Sequence, residues 1–388
     1  MKLLKISVSG LPLFKNTCEI DFLAMQRVTS DNADKMSCLF TNGAQKFYRN
    51  NVLSFIGINA SGKTTALKLI SFVCGMLNNE AINNITCSEI LDGLSDNNEA
   101  IFDIYFYGEN NTVNLLHTVI SKKESGFYIK DEYIKTKPCA KVKNKIDIFK
   151  FDNWDVSMAR NNDEEFLLDD VSIIVASNKK NKEQLITFDM LRHTNVNELS
   201  VSEDCPPELI AFFDPSIEYL HIAKNNKDCD ISLKFKSGEE IILHRPSELN
   251  RYLSSGTIKG INIFSNALKV FRTGGCLIID ELENHFNHEI VSTLIRFYMD
   301  KKVNPHGAMM IFSTHYAELL DEFERNDNIY IVRNEGGITV QNLTDVLKRN
   351  DIKKSEAYQS GFLGGTVPMY DAYMNLKKSL INSHKEDK

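Results

Sequence analysis

Apolar and polar positions alternate at the start of the chain. Residues 5–8 and 18–22 carry the period of two of half-buried strands, with Gly10-Leu11-Pro12 as the turn between them. Residues 25–50 are polar and read as loop, where Phe47 or Tyr48 either packs under a strand or offers a ring for stacking on an adenine. Residues 52–56 are a short apolar run, as in a strand buried on both faces, and residues 66–73 place apolar side chains at helical spacing. Residues 78–93 read as a polar-rich helix. Residues 100–107 and 113–120 flank Gly108-Glu109-Asn110-Asn111 as a hairpin, and residues 127–129 continue that meander. From 160 to 225 the pattern is mostly helical and loop-like, broken at Cys205-Pro206-Pro207, and residues 231–235 and 240–244 are strands around Ser237-Gly238. A helix follows over residues 258–271, then buried strands over 276–279 and 308–312. No sustained heptad, internal repeat or low-complexity tract occurs, which excludes a long coiled-coil arm.

Between the strand at 52–56 and its helix lies Gly57-Ile58-Asn59-Ala60-Ser61-Gly62-Lys63-Thr64, a complete G-x-x-x-x-G-K-[ST] phosphate loop followed by Thr65. Glycines 57 and 62 let the backbone curl so that its N–H groups face a polyphosphate, and the helix adds the positive end of its dipole. Lys63 is expected to reach the β/γ-phosphates, Thr64 to offer its hydroxyl to Mg²⁺, and Asn59, Ala60, Ser61 and Thr65 to complete the nucleotide contacts.

Three later segments fit the same chemistry. Leu253-Ser254-Ser255-Gly256-Thr257 stands before a helix, with Ser254 or Ser255 a natural N-cap and Gly256 permitting close backbone approach. The run at 276–279 ends in Asp280-Glu281, as a buried parallel strand delivers acids to the carboxyl edge of a sheet. Asp280 would hold the Mg²⁺ shell, and Glu281 would orient or deprotonate the attacking water. Ser313-Thr314-His315 follows another buried strand, placing His315 where a γ-phosphate sensor belongs.

Bulk properties narrow the class. With 388 residues, 43% hydrophobic and 25% charged, the chain can bury a substantial core, and its net charge of −7 argues against coating nucleic acid by bulk electrostatics. A basic stretch does exist: Lys135, Lys137, Lys141, Lys143, Lys145 and Lys150 would touch a nucleic-acid backbone or, lacking interleaved aromatics, form a solvated loop. Eight scattered cysteines with no C-x-x-C pair suggest neither a zinc ribbon nor a disulfide framework and fit a reducing cytosol. The start of the chain does not read as a signal peptide, and no apolar run approaches the ~18 residues of a membrane span, so a cytoplasmic protein is expected.

The ordered set of residues 57–64, 253–257, 277–283 and 313–315 resembles ATPases of the ABC/SMC type, and more narrowly the AAA-type ATPases grouped with the overcoming-lysogenization-defect (OLD) proteins. Ser254-Ser255-Gly256-Thr257, Ile279-Asp280-Glu281-Leu282-Glu283-Asn284-His285-Phe286 and Ser313-Thr314-His315-Tyr316 look like that branch, as do residues 325–330 and 361–366. The resemblance covers the two ends of the chain well and the middle poorly. It implies an α/β ABC/SMC-like P-loop ATPase head. Residues 1–77 would form its first half, 78–158 a strand-rich meander, 159–228 a compact, mostly helical inserted lobe, 229–345 the second half, and 346–388 a tail. It also implies a head-to-tail ATP sandwich, in which the phosphate loop, Asp280, Glu281 and His315 of one subunit face Ser255 and Gly256 of another, with Glu283 and Asn284 in a dimer-crossing loop.

The sequence departs from this pattern in two ways. Gln184, the one glutamine of the central insertion, has no context that makes it the family's metal-sensing Q-loop. The residues after His315 lack paired strands ending in an isolated Glu and an Asp-x-Asp, so the Toprim nuclease of OLD proteins proper is not expected. The resemblance therefore implies a stand-alone ATP- and Mg²⁺-dependent switch subunit, a homodimer or higher homo-oligomer, controlling a separate nuclease or toxin in anti-phage defence or abortive infection. A phage-derived trigger and nucleic acid are candidate partners; a membrane is not. Rival expectations are a low-turnover ATP-binding scaffold that sequesters a toxin, an SMC-like DNA-repair ATPase and, more distantly, a transporter subunit.

Overall fold

The computed structural model describes every residue except 109, 161–166, 194–198, 200–205, 225–228, 285, 367–369 and 387–388. Three expected features, Glu109 in the hairpin centre, Cys205 in the break and His285 in the acidic segment, lie outside the described residues. In chain order the strands are β1 (Lys2–Ser9), β2 (Cys18–Asp21), β3 (Met36–Asn42), β4 (Gln45–Asn50), β5 (Val52–Ile56), β6 (Ala100–Gly108), β7 (Thr112–Lys123), β8 (Gly126–Pro138) and β9 (Val156–Ala159). They continue with β10 (Thr187–Asp189), β11 (Ile217–Lys224), β12 (Cys229–Phe235), β13 (Glu240–Leu243), β14 (Cys276–Ile279), β15 (Met309–Thr314), β16 (Ile329–Asn334) and β17 (Ile338–Asn342). The helices are α1 (Ser30–Ala33), α2 (Lys63–Leu77), α3 (Ile174–Asn181), α4 (Pro207–Phe213), α5 (Ser255–Thr273), α6 (His288–Met299), α7 (Leu343–Val346), α8 (Lys354–Gln359) and α9 (Tyr370–Glu386).

The apolar runs become the centre of a six-stranded sheet in the order β10-β14-β15-β5-β16-β17. Every residue of β5, β14 and β15 is buried, as expected of strands covered on both faces, and all neighbours pair in parallel except the edge pair β16–β17. The alternating segments form a second, antiparallel sheet, β2-β1-β6-β7-β8-β9, in which β6 alternates buried and half-buried positions along its whole length. Helix α2 lies between the two sheets. Twelve of its fifteen residues are buried, so its apolar surface meets both: Phe72 packs on Phe102 of the antiparallel sheet, and the same cluster takes in Leu53 and Ile278 of the parallel one. Full burial of a side chain such as Phe72 contributes roughly 1.5–3 kcal/mol. On the other face of the parallel sheet α5 and α6 cover Leu277, Ile279 and Phe312 with Ile263, Phe264 and Leu294. The architecture is thus mixed α/β, with a smaller sheet, β11-β12-β13, packed with α4 against the start of α5.

The structure differs from the sequence expectations in three places. Residues 78–93 hold one 3-10 turn, Ser88–Leu91, instead of a polar helix. The buried Ile82, Ile85, Ile90, Leu91 and Leu94 follow no single helical stripe, and Asn79 adopts a positive φ of 71° just past the end of α2. Residues 25–50 contain α1 and the β3–β4 hairpin instead of loop; Phe47 is fully buried and stacked on Phe40 at 4.5 Å, so it packs under a strand. The described residues of 159–228 do not form a mostly helical lobe. They hold α3 and α4, but also β11 and β10, which pairs with β14 as an edge of the parallel sheet. Short strands inside polar sequence carry little period-two signal, and long-range pairing decides them. Among the described residues no helix is long and apolar enough to cross a membrane.

Candidate functional site

At the carboxyl edge of the parallel sheet, β5, β14 and β15 deliver three short segments to one cleft of about 580 Å³. In open α/β sheets this edge is where ligands bind. Residues 57–62 turn β5 into α2. A Cβ on Gly57 would stand 2.3 Å from Ser61 Oγ and 2.4 Å from the Val332 carbonyl oxygen. Gly62 has φ +97° and presses on Ile338, while Ala60 adopts φ 61° without the freedom of glycine. A loop wound this tightly, ahead of the free N–H groups of a helix's first turn, is a cradle for an anion. Ser61 adds a buried hydroxyl with no hydrogen-bond partner among the described residues.

Lys63 is folded back onto this loop. Its Nζ donates to the carbonyls of Gly57 at 3.0 Å and Ile58 at 3.2 Å and stands 3.3 Å from His315 Nδ1. Burial lowers its pKa from the ordinary lysine value, an effect opposed by Asp280 and, less, by Glu283 and Glu281. Thr64 Oγ1 donates to Asp280 Oδ2 at 2.7 Å, and Ser313 Oγ donates to Asp280 Oδ1. The Ser313 hydroxyl in turn accepts the Glu281 N–H at 2.8 Å. Glu281 itself has φ 46°, a left-handed conformation costing of order 1–3 kcal/mol that persists where its surroundings hold it. Its carboxylate lies 3.6 Å from His315 Nε2, and the His315 N–H donates to Glu283 Oε1 at 2.5 Å. The second Glu283 oxygen is buried with no partner among the described residues.

Asn59, Ala60, Ser61, Gly62, Lys63, Thr64, Thr65, Glu281 and His315 therefore line one cleft, with Asp280 bonded to Thr64 directly behind it. Ser254, Ser255 and Gly256 are not among its lining residues. They form the amino end of α5, where Ser254 is the N-cap and its Oγ accepts the Thr257 N–H at 3.0 Å.

Several residues of the site carry no local sequence signal. Leu13 and Ile338 form an apolar lip, held by Ile338 N–H donating to the Leu13 carbonyl at 2.8 Å, and Asn334 completes the rim from the end of β16. Lys259, one turn into α5, is buried and donates to the Glu281 carbonyl at 3.4 Å. Burial pushes its pKa down to about 8, against the pull of Glu283, Glu281 and Asp280. Tyr48 lies outside this cleft. Gln184 is placed by its carbonyl, which accepts from the Met1 amino group at 3.5 Å, and is not a lining residue either.

The donor chemistry suits a hard cation shared with a ligand. Thr64 and Asp280 present hydroxyl and carboxylate oxygens side by side, and among the described residues no three His, Cys, Asp or Glu side chains converge to hold a metal by themselves. No family model and no curated protein matches the chain.

Proposed function

We propose that the protein is an ATP-hydrolysing switch subunit with a P-loop ATPase head. The observation that carries this reading is the meeting of Lys63 and Thr64 from the β5–α2 loop with Asp280, Glu281 and His315 from two other strand ends in a single cleft. In this reading the N–H groups of residues 59–64 cradle the phosphates, and Lys63 exchanges its carbonyl acceptors for the β/γ-phosphate oxygens. Thr64 and Asp280 would hold Mg²⁺, which when bound supplies Lewis-acid stabilisation of charge building on the phosphate oxygens. Glu281, turned toward the cleft by its left-handed backbone, accepts a proton from the attacking water or orients it. His315 donates to the γ-phosphate and registers its loss.

Ser255 and Gly256 stand apart from the cleft, so the reading assigns their helix end to the nucleotide of a second subunit, giving a head-to-tail dimer that ATP closes and hydrolysis opens. Only contacts that differ between the two states can drive such a switch, and the γ-phosphate contacts are those. The motif resemblance supports the remainder of the proposal: a separate nuclease or toxin as the controlled effector, and a role in anti-phage defence. The six described cysteines that are free thiols support a cytoplasmic site of action.

The test is mass in solution and phosphate release, with and without ATP and Mg²⁺, for wild type, Lys63→Ala and Glu281→Gln. ATP-dependent dimerisation that persists in Glu281→Gln without turnover, and is absent in Lys63→Ala, is expected. Normal ATP affinity in Lys63→Ala, or full hydrolysis by Glu281→Gln, would refute the assignment.

A further inference from the structure

The amino edge of the parallel sheet, at the opposite ends of β5 and β15 from the first cleft, holds a second cleft of about 410 Å³. Three ammonium groups from distant parts of the chain line it: Lys2 at the start of β1, Lys46 on β4, and Lys301 after α6. Behind them Arg49 is 2% exposed, donating to the Gly307 carbonyl at 2.6 Å and leaving its Nε buried without a partner among the described residues. Lys2 donates to the His306 carbonyl at 3.0 Å. Among the described residues Asp34 is the one carboxylate lining the cleft, and it lies at the rim, 3.6 Å from Lys301. Lys46 has no ion-pair partner among the described residues.

Buried cations are normally paired with carboxylates, because an uncompensated buried charge is strongly unfavourable. Here the half-buried Lys2 neighbours the buried Arg49, and burial together with Arg49 pushes the Lys2 pKa down to about 8, with no carboxylate among the described residues raising it. A resident anion would remove that penalty. Three lysines lining one cleft, with Lys46 and Lys301 exposed, fit a doubly charged group better than a single carboxylate does. Tyr48 lines the same wall, and a neighbouring cleft of about 470 Å³, bounded by Arg27 and Lys145, shares Lys46 and Tyr48 with this second cleft. A ring between two stretches of positive charge is the arrangement that receives a base beside its phosphate.

We propose that the cleft between Lys2, Lys46 and Lys301 is a second ligand site, which binds the phosphate of a nucleotide, free or in a single strand, with Tyr48 against the base. It is independent of the glycine-rich loop. The experiment titrates the full chain, in the Lys63→Ala background, with a fluorescein-labelled, 5′-phosphorylated oligothymidylate and measures anisotropy, with AMP and inorganic phosphate as competitors. Saturable binding is expected. Exposed Lys46 and Asp34 can be changed without disturbing the core, and they predict opposite signs. Lys46→Glu should weaken binding roughly tenfold, whereas Asp34→Asn should tighten it roughly threefold. Displacement by AMP identifies a free nucleotide as sufficient; resistance to AMP identifies the strand as the ligand. Absence of saturable binding of both the strand and AMP, or binding indifferent to both substitutions, would overturn the proposal.

Discussion

Ser313 uses its hydroxyl in two directions, donating to Asp280 and accepting the N–H of Glu281. One buried oxygen thus fixes the orientation of the first acid and the strained backbone of the second. Ser313→Ala should cost about 1–3 kcal/mol in urea denaturation, because it strips partners from two groups, and should lower phosphate release more than ATP affinity. Two lysines of the basic stretch show the same economy. Lys145 Nζ donates to the carbonyls of Ala24 at 2.5 Å, Met25 at 3.1 Å and Gln26 at 2.6 Å, and buried Lys137 donates to the carbonyls of Asp147 and Lys150. Lys145→Ala should destabilise the fold by roughly 2 kcal/mol, measured as a shift in denaturation midpoint at constant m-value. A run of lysines looks alike along a sequence whether it faces water or carbonyls some 120 positions away, so this division was illegible before the chain was folded.

At the scale of elements, the two large sheets are tied directly through β2 and β16. Tyr330 donates its hydroxyl to the Asp21 carbonyl at 3.1 Å and accepts the Asp21 N–H at 2.7 Å, while one Asp21 carboxylate oxygen is buried without a partner among the described residues. Burial, partly opposed by Lys5, pushes the Asp21 pKa up to about 6 from its ordinary 3.8. The folded state therefore holds this proton more tightly than the unfolded chain. The associated stability is fully present below about pH 3.8 and is lost as pH rises through about 6. Asp21→Asn should match wild type near pH 3.5 and exceed it by about 1–3 kcal/mol at pH 7, read from paired urea titrations. Where elements carried strong periodicity the sequence announced them: α2, β6 and α5, which was expected over 258–271 and starts earlier, at Ser255, behind Ser254, one of the two caps the sequence offered. The helix expected over 78–93 failed because its isoleucines and leucines serve a core that wraps around them, not a single stripe.

At the scale of the whole molecule, the amino end of α5 lies outside the cleft, and in the proposed sandwich it would meet the nucleotide of a second copy. Gly256→Arg, at that helix end, should leave nucleotide binding by the isolated subunit intact while abolishing ATP-dependent dimerisation and hydrolysis. Light scattering with a nucleotide-binding assay checks both, and a Gly256→Arg variant that still dimerises with ATP would refute the sandwich. The sequence by itself determined the local parts of this protein: the glycine-rich loop between a strand and a helix, the acids at the end of an apolar strand, the histidine after another. Each is written in neighbouring residues, because backbone turns and strand ends are local. Only the tertiary structure decided which of these segments share a cleft, that β10 belongs to the parallel sheet, and that Leu13, Lys259 and Ile338 attend the site. It also decided that Lys2, Lys46 and Lys301 converge at the opposite sheet edge. Those facts depend on strand order and on contacts between residues hundreds of positions apart, which no local pattern encodes.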